Sequence, residues 1–240
     1  MIEFQRIKKT YIFDGHIYNA LQGVDGKIAS GEMVALYGPS GSGKSSLLNV
    51  CSLLDENYQG RVIIGDEPIT KTSDFAVDVR RKQMGFIFPK FNLVSVQTVF
   101  ENIEFPLILN RISKVERTQR VLEMIDKVGL SEFIHCKPER LTGKQKQCVA
   151  IARAFIHKPV AVIADEPTAS LDSDSKADVI ELMLKLGHEL DAAILVATND
   201  ATIAKMCHRT IHMLDGCIVE HVPAVLFKYR KTAEALPWGV

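Results

Sequence analysis

The stretch GEMVALYGPSGSGKSSLLNVCSLL, residues 31–54, decides the fold. Its opening, GEMVALYG, is a short apolar run ending in glycine and reads as a buried strand. From Lys44 onward, KSSLLNVCSLL contains no breaker and reads as a helix. Between them GPSGSGKSS, residues 38–46, fits G-x-x-x-x-G-K-[ST] in the strand-then-helix setting that this pattern requires. Glycines let the backbone of Gly38, Pro39, Ser40, Gly41, Ser42 and Gly43 curl so that its N–H groups face one point. The positive end of the following helix adds to the attraction for phosphate oxygens there. Lys44 is expected to reach the β- and γ-phosphates of a nucleotide, Ser45 to offer its hydroxyl to Mg²⁺, and Ser46 to close the binding loop.

Working outward, PVAVIADEPTASLD (residues 159–172) is an apolar strand ending in Asp165 and Glu166. A strand terminus beside a phosphate loop is where a sheet delivers side chains to a bound nucleotide. Asp165 is expected to hold Mg²⁺ through water, and Glu166 to polarise the water that attacks the γ-phosphate in line. Around these motifs lie further strands, IEFQRIKKTYIF and HIYNALQGVDGKIA at the N-terminus, then GRVIIG, MGFIF and AAILVAT. DFAVDVRRKQ and DSKADVIELMLKLGHEL read as helices, and RTIHMLDGCIVEH as a closing hairpin. Strand and helix alternate, which points to an α/β sheet.

Residues 91–154 change character, carrying helical spacing and no strong strand signal, and read as a helical insert. In its last helix Cys148, Ile151, Ala152 and Phe155 recur at three and four residues, predicting one buried stripe with Lys144 and Lys146 near an exposed start. The expected organisation is one domain over residues 1–240, with a core of 1–90 and 155–220 and a loosely held, partly basic tail of 221–240.

The chain carries 29 basic and 29 acidic residues, so no net field favours a polyanion, and nucleic acid is not an expected partner. No apolar run reaches the ~18 residues of a membrane span, and no secretory segment opens the chain. Five cysteines without a C-x-x-C pair read as reduced thiols in a cytoplasmic protein. His208 and His212 sit four apart, but RTIHML alternates like a strand, so a structural role is expected for both.

The ordered set GPSGSGKSS, LTGKQKQCVAIARA, VIADEPTASLD and VATND resembles the ATP-binding cassette (ABC) transporter ATPase family over nearly the whole chain. RRKQMGFIFPKFNLVSVQTVFENIEFPL (residues 80–107) further resembles its lipoprotein-releasing, macrolide-export and cell-division branch. The resemblance implies a P-loop NTPase (RecA-like) core with an N-terminal antiparallel β subdomain and an inserted helical subdomain. It implies ATP and Mg²⁺ as cofactors, and two cassettes, as homodimer or heterodimer, closing head to tail on two ATP molecules. It also implies a membrane permease partner that holds the chain peripherally at the inner face of the cell membrane. Thr142, Gly143 and Lys144 would then face the nucleotide of the other cassette, and the loop Ser170, Leu171, Asp172 would cross to it. Tyr11 resembles the aromatic that stacks on adenine, with Phe13 and Tyr18 as alternatives.

Three positions depart from the family pattern. Pro89 stands where a glutamine usually contacts Mg²⁺ and the attacking water, and it has neither a side-chain ligand nor an N–H. Asn199 stands where a histidine usually lies near the γ-phosphate; its amide donates a hydrogen bond but carries no charge. The signature reads Leu141-Thr142-Gly143-Lys144-Gln145 against L-S-G-G-Q, so a Cβ appears where backbone approaches phosphate, together with an ammonium able to pair with it. The expected activity is therefore ATP binding with slow or partner-dependent hydrolysis at Glu166, with Asn199 nearby. The alternative is a nucleotide-gated clamp on a membrane protein with little hydrolysis. A phosphate-loop kinase would need an acceptor pocket and a lid, and the sequence offers neither.

Overall fold

The computed structural model describes residues 1–69 and 73–223, so most of the tail, from residue 224, lies outside the described residues. The first half of the chain forms strands β1 (Ile2–Phe13), β2 (His16–Ile28) and β3 (Met33–Tyr37), helix α1 (Lys44–Cys51), strands β4 (Gln59–Ile64) and β5 (Glu67–Pro68), helix α2 (Ser73–Gln83) and strand β6 (Met84–Ile87). Helices α3 (Val99–Leu109), α4 (Lys114–Lys127) and α5 (Gly143–Phe155) follow. The chain returns through β7 (Ala161–Asp165), α6 (Ser173–Glu189), β8 (Ala193–Thr198), α7 (Ala201–Met206), β9 (Arg209–Leu214) and β10 (Cys217–Pro223).

Two sheets result. One has four antiparallel strands in the order β2-β1-β4-β5, and the other six in the order β10-β9-β3-β8-β7-β6. In the larger sheet every neighbouring pair from β9 to β6 is parallel, and β10 closes the edge as an antiparallel strand. The β1–β2 and β9–β10 hairpins each turn on an Asp-Gly pair with positive φ, at Asp14 and Gly15 (49° and 75°) and at Asp215 and Gly216 (47° and 76°). That dipeptide suits the two-residue turn whose twist matches the flanking strands.

The larger sheet explains why its strands read as unbroken apolar runs. Met33 and Ala35 of β3, with Ile194 and Val196 of β8, enter one core, which α3 to α7 help to close. Val34 and Leu36, with Ala193, Leu195 and Ala197, enter a second core shared with α1, α2 and the antiparallel sheet. Alternate residues serve opposite faces, so a strand covered on both sides has no polar position to spare.

The structure differs from the sequence reading in three places. β5 and α7 were not anticipated, being only two and six residues long and too short to show a period. α5 is buried well beyond the expected stripe: Gln147, Val149, Ala150 and Ala154 are buried as well as Cys148, Ile151, Ala152 and Phe155. The reason is its position, in contact with α3, α6 and β6 together. The paired histidines are structural, since His208 Nδ1 accepts the Met33 N–H at 2.9 Å and the His212 ring packs edge-on against Tyr37.

Candidate functional site

The motifs meet at one edge of the parallel sheet. β8 lies between β3 and β7, with Tyr37 in register with Thr198 and Asp165 with Ala197. The loop after Tyr37, the pair Asp165 and Glu166, and Asn199 thus leave the C-terminal ends of three adjacent strands, where an open α/β sheet binds ligands. On the far side of β7, Ile87 pairs with Ala164, which brings Pro89 just beyond the same edge.

Helices α3 to α7 begin with side-chain caps from Thr98, Ser113, Thr142, Asp172 and Asp200. α1 begins at Gly43, with no side-chain cap and no acidic residue in its first turn, so its positive end is left to an anion. Gly43 has φ +100°, and a Cβ there would stand 2.6 Å from the Ala20 carbonyl oxygen. At Gly38 a Cβ would meet the Met213 carbonyl oxygen at 2.2 Å. The β9–β10 turn braces the loop, its Gly216 N–H donating to the Ser42 carbonyl at 3.0 Å. Pro39, Ser40, Gly41 and Ser45 are exposed and Ser46 half-buried, whereas the Ser42 hydroxyl is buried without a hydrogen-bond partner among the described residues. Lys44 is only 8% exposed, and its Nζ donates to the carbonyls of Gly38 at 2.6 Å and Pro39 at 2.9 Å.

Burial pushes the Asp165 carboxyl above its ordinary pKa, against the opposing pull of the Lys44 ammonium. Glu166 is raised for the same first reason and further by Asp165, while Lys44, the Asn199 backbone N–H and the Thr198 hydroxyl favour its charged form. Thr198 Oγ1 lies 3.4 Å from Glu166 Oε2. Glu166 itself is held at φ 42°, in the left-handed region, by its N–H donating to Ala197 at 3.0 Å. Such a conformation costs about 1 kcal/mol or more. Asn199 contributes its backbone to this cluster, and the residue is exposed.

The signature residues sit beside the loop that follows Glu166. Thr142 Oγ1 accepts the Gln145 N–H at 3.2 Å, and Gln145 Oε1 accepts the Thr142 N–H at 2.9 Å, a reciprocal cap on α5. A Cβ on Gly143 would lie 3.6 Å from both the Ser170 carbonyl oxygen and Leu171 Cδ2. Lys144 Nζ donates to Asp178 on α6 at 2.6 Å, so within one chain its ammonium is engaged by a carboxylate. The Pro89 carbonyl accepts the Ser170 hydroxyl at 2.9 Å. Just beyond, Phe91 and Asn92 have φ 62° and 48°, and their carbonyls accept from Arg153 at 2.9 and 2.7 Å. Gln147, fully buried, donates to the Pro167 carbonyl at 2.7 Å.

Of the three candidate aromatics, Tyr11 and Tyr18 are cross-strand partners, 40% and 54% exposed, and Phe13 at the hairpin tip is 68% exposed. Sequence reasoning did not single out Thr198, Gln147, Arg153 or Asp178. Thr198 was within reach, being the polar end of an apolar strand aligned with the phosphate loop. The other three act through partners 20 or more residues away and carry no local signal.

The sequence matches the family profile described as ABC transporter over residues 21–169. The ABC transporter ATP-binding protein MJ0796 of Methanocaldococcus jannaschii is 40% identical over 224 residues, covering 90% of this chain and 94% of that one. YvrO of Bacillus subtilis, also described as an ABC transporter ATP-binding protein, is 37% identical over 220 residues, covering 91% and 96%. Among solved structures, a dimer of MJ0796 in a post-hydrolysis state bound to ADP and Pi superimposes with a TM-score of 0.83 at 36% identity, covering 95% of this chain and all of that one. The cbiO1 protein of Clostridium perfringens, part of the transporter complex cbiONQ, gives a TM-score of 0.84 at 25% identity, covering 93% and 88%.

Proposed function

The chain belongs to the ABC transporter family, as an ATP-binding, ATP-hydrolysing subunit of a membrane transport complex, and on that premise we propose how its own residues share the work. Gly38 to Ser46 grip the triphosphate through backbone N–H groups, and Lys44 exchanges its bonds to the Gly38 and Pro39 carbonyls for phosphate oxygens. Glu166 is the general base for the attacking water. The single observation that carries this reading is that the phosphate loop and the pair Asp165 and Glu166 leave the C-terminal ends of β3 and β7, the two neighbours of β8, in register with Thr198 and Ala197. Ser45 and Asp165 offer the hard oxygen donors that suit Mg²⁺, which when bound would neutralise charge on the β- and γ-phosphates.

The working unit is a pair of cassettes, like the dimer of MJ0796. In that pair Thr142, Gly143 and Lys144 are assigned to the nucleotide of the second subunit. Among the described residues no helix is long and apolar enough to cross a membrane. We place the chain at the cytoplasmic face, docked on a permease subunit, on the strength of its likeness to cbiO1, part of a transporter complex. Turnover is slow, because Pro89 and Asn199 remove two groups that would otherwise act on the attacking water and the developing charge.

Glu166→Gln tests the assignment. ATP affinity by calorimetry is expected to hold while turnover falls by about 10² or more. Unchanged turnover would remove Glu166 from its role. If the wild-type complex hydrolyses no ATP yet ATP still moves its membrane partner, the chain is a nucleotide-gated clamp instead, the reading that Pro89 and Asn199 favour.

A further inference from the structure

Lys9 of β1 is 5% exposed, an unusual place for an ammonium. Its Nζ lies 2.8 Å from both Asp55 carboxylate oxygens and donates to the Asn57 carbonyl at 2.7 Å. The ring of Tyr11 lies beside the same ammonium, its centroid 4.8 Å from Nζ and inside cation–π range. Asp55 is fixed in turn to the helix that follows the phosphate loop, its N–H donating to the Asn49 carbonyl at 3.1 Å. A continuous set of contacts therefore runs from α1 through Asp55 and Lys9 to one face of Tyr11.

The strand pair that carries this ring also borders the phosphate loop. Tyr11 pairs with Tyr18, and two residues along β2 the Ala20 carbonyl stands against Gly43 and Gly216. Among the described residues neither Tyr18 nor Phe13 has an ammonium against its ring, and both are more exposed. We propose that Lys9 is a positioning residue for base binding: it holds Tyr11, rather than Tyr18 or Phe13, as the stacking surface for the purine of ATP. A cation on one face draws electron density from the ring and makes its other face a better partner for an electron-rich purine. This rests on the reading of the neighbouring loop as the triphosphate site.

The test is a double-mutant cycle on the full chain, with dissociation constants measured by calorimetry for Mg-ATP and for Mg-tripolyphosphate, which has no base. Lys9→Met is expected to weaken ATP about three- to tenfold and to leave tripolyphosphate within about twofold. Tyr11→Leu is expected to weaken ATP alone, and adding Lys9→Met to it should cost nothing further. Equal weakening of both ligands, or a Lys9→Met loss that persists in the Tyr11→Leu background, would overturn the role of Lys9. A Tyr11→Leu chain that binds ATP as the wild type does would sink the stacking assignment as well, and failure of the wild type to bind tripolyphosphate would sink the loop reading. Should Lys9→Met not fold, Asp55→Asn keeps the side-chain shape while removing the anchoring charge. It must then show the same loss for ATP and none for tripolyphosphate.

Discussion

Pro89 offers the nucleotide site only a carbonyl, and Ser170 already donates to it. Asn199 gives Glu166 a backbone N–H, which any residue there except proline would supply equally. On the proposed assignment neither position replaces the glutamine and histidine of the family pattern, and introducing those two side chains should speed the reaction. Pro89→Gln together with Asn199→His is expected to raise the ATPase rate by about 10² or more, since one preorganised group at developing charge is worth about 10² to 10³. A steady-state assay showing no rise would mean that hydrolysis is limited elsewhere. At this scale the candidates Gly38 to Ser46, Asp165 and Glu166, which the sheet brings to neighbouring strand ends, could be named from sequence because their pattern is written at fixed local spacing. Lys9 with Asp55 and Pro89 with Ser170 were not, since these contacts join residues 46 and 81 positions apart.

α5 carries the signature, and its start is set by Thr142 and Gln145 holding each other's backbone N–H groups. Losing that cap removes a partner from the first turn. Thr142→Ala should cost about 1 kcal/mol and lower the melting temperature by about 2 to 4 °C, while Thr142→Ser should melt close to the wild type. Differential scanning calorimetry separates the two, and an unchanged Thr142→Ala melt would show that the cap contributes nothing. Five helices, α3 to α7, start after a capping threonine, serine or aspartate. The all-round burial of α5 was hidden, because a stripe in sequence records only the face that must be apolar. Alanine and a hydrogen-bonded glutamine pass unnoticed on the others.

Across the whole molecule, the two cores on opposite faces of one sheet decide which thiols can react. Cys51, Cys148 and Cys207 lie inside. Burial pushes Cys148 to about 11, Cys207 to about 12, and Cys51 well above the usual thiol range. Cys136 and Cys217 are only half-buried. A disulfide-exchange reagent at neutral pH should therefore label two thiols in the native protein and five after denaturation. Rapid labelling of more than two would contradict the packing. The α/β class and the helical insert were legible from alternating strand and helix patterns. Which strands neighbour one another was not, because order in a parallel sheet is set by crossovers that local sequence does not encode.

The pairing of Tyr37 with Thr198, and of Asp165 with Ala197, has a bearing on how this molecule can fail. A slip of one residue between these strands would turn each side chain toward the opposite core and at the same stroke carry Lys44 away from the two carboxylates. Misassembled copies are consequently inert rather than sluggish. The specific activity of a preparation thus becomes a census of its correctly threaded molecules.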